Sequence, residues 1–92
     1  MAEAMMVNAV KAILIDHADL IPGVVKAQFK DKCKVSARLR EDLGFDDIAL
    51  IELMVVLEES FGIDIPGEVL AKTGTVKELT ELVDKIARTG RP

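Results

Sequence analysis

The 92-residue sequence predicts an all-α fold, a small four-helix bundle with three main helices and one short one. Three observations carry this. Apolar residues recur three and four apart in three separate segments, and residues that start and stop helices bracket those segments. No stretch alternates apolar and polar positions as a half-buried strand would.

The first helix is expected from about Glu3 to Asp16, where Met6, Val10, Ile13 and Leu14 share a face with Val7 beside them. Residues 17–40 read as a long connection punctuated by Pro22-Gly23. Within it, Val25 and Phe29 lie four apart and suggest a short helical stretch over 24–30. The second main helix follows Gly44-Phe45-Asp46. Asp46 can accept backbone N–H bonds of the first turn at the positive end of the helix dipole. Leu50, Leu53, Leu57 and Phe61 form its core stripe with Met54 adjacent, and Gly62 suits the left-handed position that ends a helix. Ile65-Pro66 introduces the short helix, proline being tolerated at a first helical position. Thr75-Val76-Lys77-Glu78 has the capping-box spacing, and Val76, Leu79, Leu82, Val83 and Ile86 line one side of the last helix. A single domain over 1–92 is expected, with 1–2 and 89–92 frayed.

Half the residues are apolar and 30% are charged, a globular balance. With no Trp or Tyr and three Phe, the core has to be largely aliphatic. A chain this short buries only ~60–65% of its unfolded surface, so that core must be well packed. The single cysteine, Cys33, excludes an internal disulfide and a Cys-based zinc site, and fits a reducing compartment. The most apolar stretch, Ile48 to Leu57, is interrupted by Glu52 and is too short to span a bilayer. Glu3 stands where a secretion signal would be basic, so a cytoplasmic location with no membrane contact is expected.

Charge is distributed in blocks. Residues 26–40 carry six basic side chains (Lys26, Lys30, Lys32, Lys34, Arg38, Arg40) against Asp31, whereas residues 41–71 carry nine acids and no Lys or Arg. An acidic block of this kind suits a partner with a basic docking surface, since complementary fields speed encounter. On the second main helix, Ile48, Glu52, Val55 and Glu59 form a stripe separate from the core stripe. Glu52 and Glu59 cannot both be buried unpaired. The stripe is therefore either a solvated flank or a docking strip, in which the acids steer a basic partner while Ile48 and Val55 supply contact area.

Chemistry-bearing residues are sparse. Cys33 has no His or second Cys nearby and reads as a small core hydrophobe; His17 reads as a helix-end residue. Ser36 and Ser60 read as ordinary polar positions. Without a nucleophile–base pair, a metal-ligand cluster or a Gly-rich phosphate loop, the chain is not expected to be an enzyme. Glu41, Asp42, Asp46 and Asp47 lack the spacing of a calcium loop, and no metal site is expected. The basic segment 26–40 could neutralise phosphates as a nucleic-acid-binding module. The chain is acidic overall, however, and the segment has one aromatic, Phe29, where a stacking platform would need several. No nucleic-acid partner is expected.

The run Glu41-Asp42-Leu43-Gly44-Phe45-Asp46-Asp47-Ile48, the helix from Ile51 to Phe61, the Ile63-Asp64-Ile65-Pro66 turn and the Thr75-Val76 helix start resemble the acyl carrier protein family. The likeness runs over about residues 39–87 without a gap and is weaker over the first helix. It implies a four-helix bundle that carries acyl intermediates of fatty-acid or polyketide metabolism on a 4′-phosphopantetheine arm. It also implies that the second main helix docks onto basic patches of synthases, acyltransferases and the phosphopantetheinyl transferase. The partner-binding residues on that pattern are Asp46, Ile48, Glu52, Val55 and Glu59, in a monomeric protein.

The family attaches the arm to the serine of an Asp-Ser-Leu motif, and the matching positions here are Asp46-Asp47-Ile48. A carboxylate is a poor nucleophile toward the pyrophosphate of coenzyme A, and the mixed anhydride it would form hydrolyses readily. Asp47 is therefore expected to remain unmodified, with no cofactor on this chain. Two explanations fit: a carrier-like protein that works by docking without the arm, or a genuine carrier whose attachment serine was replaced by engineering. Ala49, Gly67 and Ala71 stand where the family often has acids, and the connection 17–40 is longer and more basic than usual. Both departures point to a specialised set of partners.

Overall fold

The computed structural model of the chain describes residues 2–91. Five α-helices follow in order: α1 (Ala2–Asp16), α2 (Lys26–Lys32), α3 (Asp47–Phe61), α4 (Gly67–Ala71) and α5 (Val76–Thr89), with a 3-10 turn at Ala18–Leu20. The three main helices are α1, α3 and α5, and α4 is the short one. No strand occurs among the described residues, and the sole bridge is an isolated antiparallel pair between Arg38 and Thr75. Of the ends expected to fray, Met1 and Pro92 lie outside the described residues; Ala2 opens α1, and Thr89 is the last residue of α5.

The helix boundaries follow local chemistry. Asp46 caps α3 by accepting the Ala49 N–H at 2.8 Å, and Gly62 closes the helix at φ 64°, where a side chain would be strained. At α5, the Thr75 hydroxyl accepts the Glu78 N–H while the Glu78 carboxylate accepts the Thr75 N–H, both at 3.1 Å. Gly90 ends that helix in the same left-handed conformation. The Glu58 carboxylate accepts the Ile65 N–H at 2.8 Å and so fixes the turn between α3 and α4.

The core joins Val10 and Leu14 of α1, Leu50, Leu53 and Leu57 of α3, Leu70 of α4, and Val76, Leu79, Val83 and Ile86 of α5. Phe61, Met54 and Leu82 are half-buried at its margin. The connection 17–40 holds the short helix expected within it, with shifted bounds. Its helix lies at 26–32 instead of 24–30, because Val25 is extended and leads into it. The buried pair is Phe29 and Cys33, four apart, while Val25 is 52% exposed. The same segment and the turn after it also bury Ala18, Ile21, Ala37, Leu39, Leu43 and Phe45, and Phe29 meets Phe45 edge to face at 6.1 Å. Hydrogen bonds from Leu39 N to Gly74 O, Val76 N to Ala37 O and Lys77 N to Val35 O tie the end of the connection to the start of α5.

Candidate functional site: the outer face of α3

The approach to α3 is a tightly bonded turn. The Arg38 carbonyl accepts the N–H groups of Asp42 and Leu43, Arg40 that of Gly44, and Leu39 that of Phe45. The Asp42 carboxylate accepts the Arg38 backbone N–H at 2.8 Å and faces its guanidinium at 3.4 Å. That backbone donor, reinforced by the guanidinium, holds the Asp42 carboxyl below the usual carboxylate range. The turn delivers Arg40 to the first residue of α3, where its Nη2 lies 2.6 Å from Asp47 Oδ1. The Asp47 side chain is 81% exposed despite this contact.

The two aspartates at the helix start thus do different work. Asp46 spends its carboxylate on the cap, and Asp47 presents its own to solvent beside one guanidinium. Ser36 lies in the connection and Ser60 near the end of α3, both exposed. The Thr73 hydroxyl is donated to the Val69 carbonyl, and the Thr75 hydroxyl serves the α5 cap. Cys33 is buried, which pushes its thiol up, against a smaller opposing pull from the Lys11 charge. His17 sits just past α1 with Nδ1 2.9 Å from the Ile13 carbonyl.

Four of the five proposed partner-binding side chains, Ile48, Glu52, Val55 and Glu59, lie along one exposed side of α3, whereas Asp46 precedes the helix and has its carboxylate engaged in the cap. Ile48 is 69% and Val55 44% exposed, and Glu52 and Glu59 are exposed beside them. Ile51 belongs to the same strip at 57% exposed and was missed as a site residue. Its signal was available, since it lies three residues after Ile48 and four before Val55. Beside the strip, a mainly apolar cavity of about 380 Å³ opens between α3 and α4. It is lined by Leu50, Ile51 and Met54 on one side and Gly67, Leu70 and Ala71 on the other, with Arg40 and Asp47 contributing. Neither the cavity nor the approach of Arg40 to Asp47 has a sequence signal, because the first depends on how α4 packs against α3 and the second on how the turn before α3 folds. In the basic segment, Phe29 is in the core, so no aromatic of that segment is left to stack on a base.

No helix among the described residues is long and apolar enough to cross a membrane. A family model described as "Phosphopantetheine attachment site" matches residues 24–83, a span that holds α2, α3, α4 and the first half of α5. The chain is 34% identical over 76 residues to a protein named "Acyl carrier protein" from Zymomonas mobilis, covering 83% of this chain and 87% of that one. It is also 34% identical to an acyl carrier protein of Campylobacter hominis over 77 residues, with 84% and 87% covered. The one from Thermosynechococcus vestitus is 31% identical over 84 residues, with 91% and 94% covered. A helical bundle with an acidic, partly apolar outer helix, matched over most of its length by these relatives, places the chain in the acyl carrier protein family, whose members are carriers and not enzymes.

Proposed function

We propose that this chain is a carrier-like docking protein of fatty-acid or polyketide-type acyl metabolism that does not take up 4′-phosphopantetheine. The observation that carries the reading is Asp47: the first residue of α3 offers an exposed carboxylate held by Arg40, where the resemblance calls for a serine hydroxyl. The side chains at this helix start do not fit the arm. A stable phosphodiester needs an alcohol oxygen, and the hydroxyls of Thr73 and Thr75 are committed elsewhere. What remains functional is the surface. Ile48, Ile51 and Val55 supply apolar contact, and Asp47, Glu52 and Glu59 supply the field that draws a basic partner such as a synthase, an acyltransferase or a phosphopantetheinyl transferase.

The test is incubation with coenzyme A and a broad-specificity phosphopantetheinyl transferase, read by intact mass. The unsubstituted chain should gain no mass, and Asp47→Ser should gain one arm. Adding Glu52→Lys and Glu59→Lys to Asp47→Ser should slow that gain by about tenfold or more at low salt. An arm on the unsubstituted chain would overturn the reading of Asp47. An unchanged rate in the triple variant would remove the acidic strip from docking.

A further inference from the structure

The basic run of the sequence is split by the fold into two parts with different fates. Arg38 and Arg40 are spent locally, Arg38 on Glu41 at 3.7 Å and Asp42 at 3.4 Å, and Arg40 on Asp47 at 2.6 Å. Lys26 reaches Asp16 only at 4.0 Å, with both side chains largely exposed. Lys30, Lys32 and Lys34 are exposed and make no ion pair among the described residues. Lys30, Lys32 and Lys34, with Lys26 at the edge, outweigh Asp31 and leave α2 and the residues after it a cationic surface; Glu41 and Asp42 line a cavity beside Lys32 and Lys34, but both are held by Arg38.

This surface is built on a fixed support. Phe29 and Cys33 root α2 in the core, and the Lys77 N–H bond to the Val35 carbonyl pins the far end to α5. With Phe29 turned inward, helical geometry puts Ala27 and Asp31 on the outward crest, Lys26 and Lys30 on one flank and Lys32 on the other. Val25 and Val35, 52% and 43% exposed, flank the patch in sequence at its two ends. Exposed apolar residues among like charges are the composition of a contact surface with a polar rim.

We infer that α2 and the residues up to Val35 form a second docking surface, for an acidic protein segment, on a different element from the acidic face of α3. A protein partner fits better than the other polyanions. Asp31 on the crest interrupts what a phosphate backbone would need as a continuous cationic track, and Phe29 is withdrawn from stacking. A lipid surface would call for large apolar side chains along the crest of the helix, where only the methyl group of Ala27 and the carboxylate of Asp31 stand. Separate carboxylates on a protein chain can reach the lysine flanks on either side of Asp31. The molecule then holds partners of opposite charge on two faces, which suits a protein that works by contact. The inference is independent of whether position 47 accepts an arm.

The test titrates the isotopically labelled full chain with a short oligoglutamate at low salt and reads backbone amide shifts. Shifts should concentrate on Lys26, Ala27, Lys30, Lys32 and Lys34. Lys30→Glu with Lys34→Glu should weaken binding by about tenfold or more, whereas Lys72→Glu with Lys85→Glu should change it by less than about twofold. Lys30→Gln with Lys34→Gln should weaken it by an intermediate factor and guards against misfolding of the reversed variant. No binding, shifts spread over the whole surface, or equal weakening by the control pair would overturn the proposal. So would tighter binding of a single-stranded oligonucleotide or of phosphatidylglycerol vesicles at the same salt.

Discussion

The Asp42 carboxylate accepts the backbone N–H of Arg38 and lies against the same residue's guanidinium, and its folded-state pKa is lowered by both. A carboxyl with a depressed folded pKa contributes stability that is present above its unfolded pKa of about 3.9 and is lost as pH falls through the lowered folded value. Asp42→Asn should therefore be less stable than the unsubstituted chain at neutral pH, and the difference should shrink below about pH 4. Urea midpoints at pH 7 and in strong acid measure this directly, and a constant difference would show that the carboxylate's charge does not matter there. Nearby, Asp46 and Asp47 are adjacent and chemically identical, yet one is a helix cap and the other a solvent-facing anion. The cap is legible in the sequence because it depends on one turn of helix. The contact of Asp47 with Arg40 is not, since it depends on four backbone hydrogen bonds in the preceding turn.

Helix α3 shows how one element serves two faces. Leu50, Leu53 and Leu57 are buried inward while Ile48, Ile51 and Val55 stand outward, so most of its circumference is apolar, with Asp47, Glu52 and Glu59 marking the outside. Leu57 is fully buried, and Leu57→Ala should cost about 2–5 kcal/mol in urea unfolding, the range set by how far the site collapses. A loss below about 1 kcal/mol would mean that the inward stripe is misassigned. The periodicity of α1, α3 and α5 made those helices readable from sequence, as did their capping residues. Helix α2 was only partly readable. Its seven residues hold a single anchoring aromatic, and the pair that fixes it is Phe29 with Cys33 rather than Phe29 with Val25.

Across the molecule, the connection between α1 and α3 supplies much of the core. Outside α2, its buried residues Ala18, Ile21, Ala37 and Leu39 follow neither helical nor strand spacing, so their burial became visible only once the chain was folded. Cys33 sits within this part of the core with its thiol shifted up by burial. Alkylation of Cys33 at mildly alkaline pH should be slow in the native state and fast in urea, with a native rate that follows the opening of the core. Rapid native labelling would show that α2 detaches without global unfolding. The backbone bonds that join residues 35–39 to 74–77 have a further use. They bring the entry and exit of the α3–α4 region side by side, so that region can be exchanged as one cassette with that of an arm-bearing relative. Both splice points then fall on paired backbone, and the recipient's first and last helices keep their places.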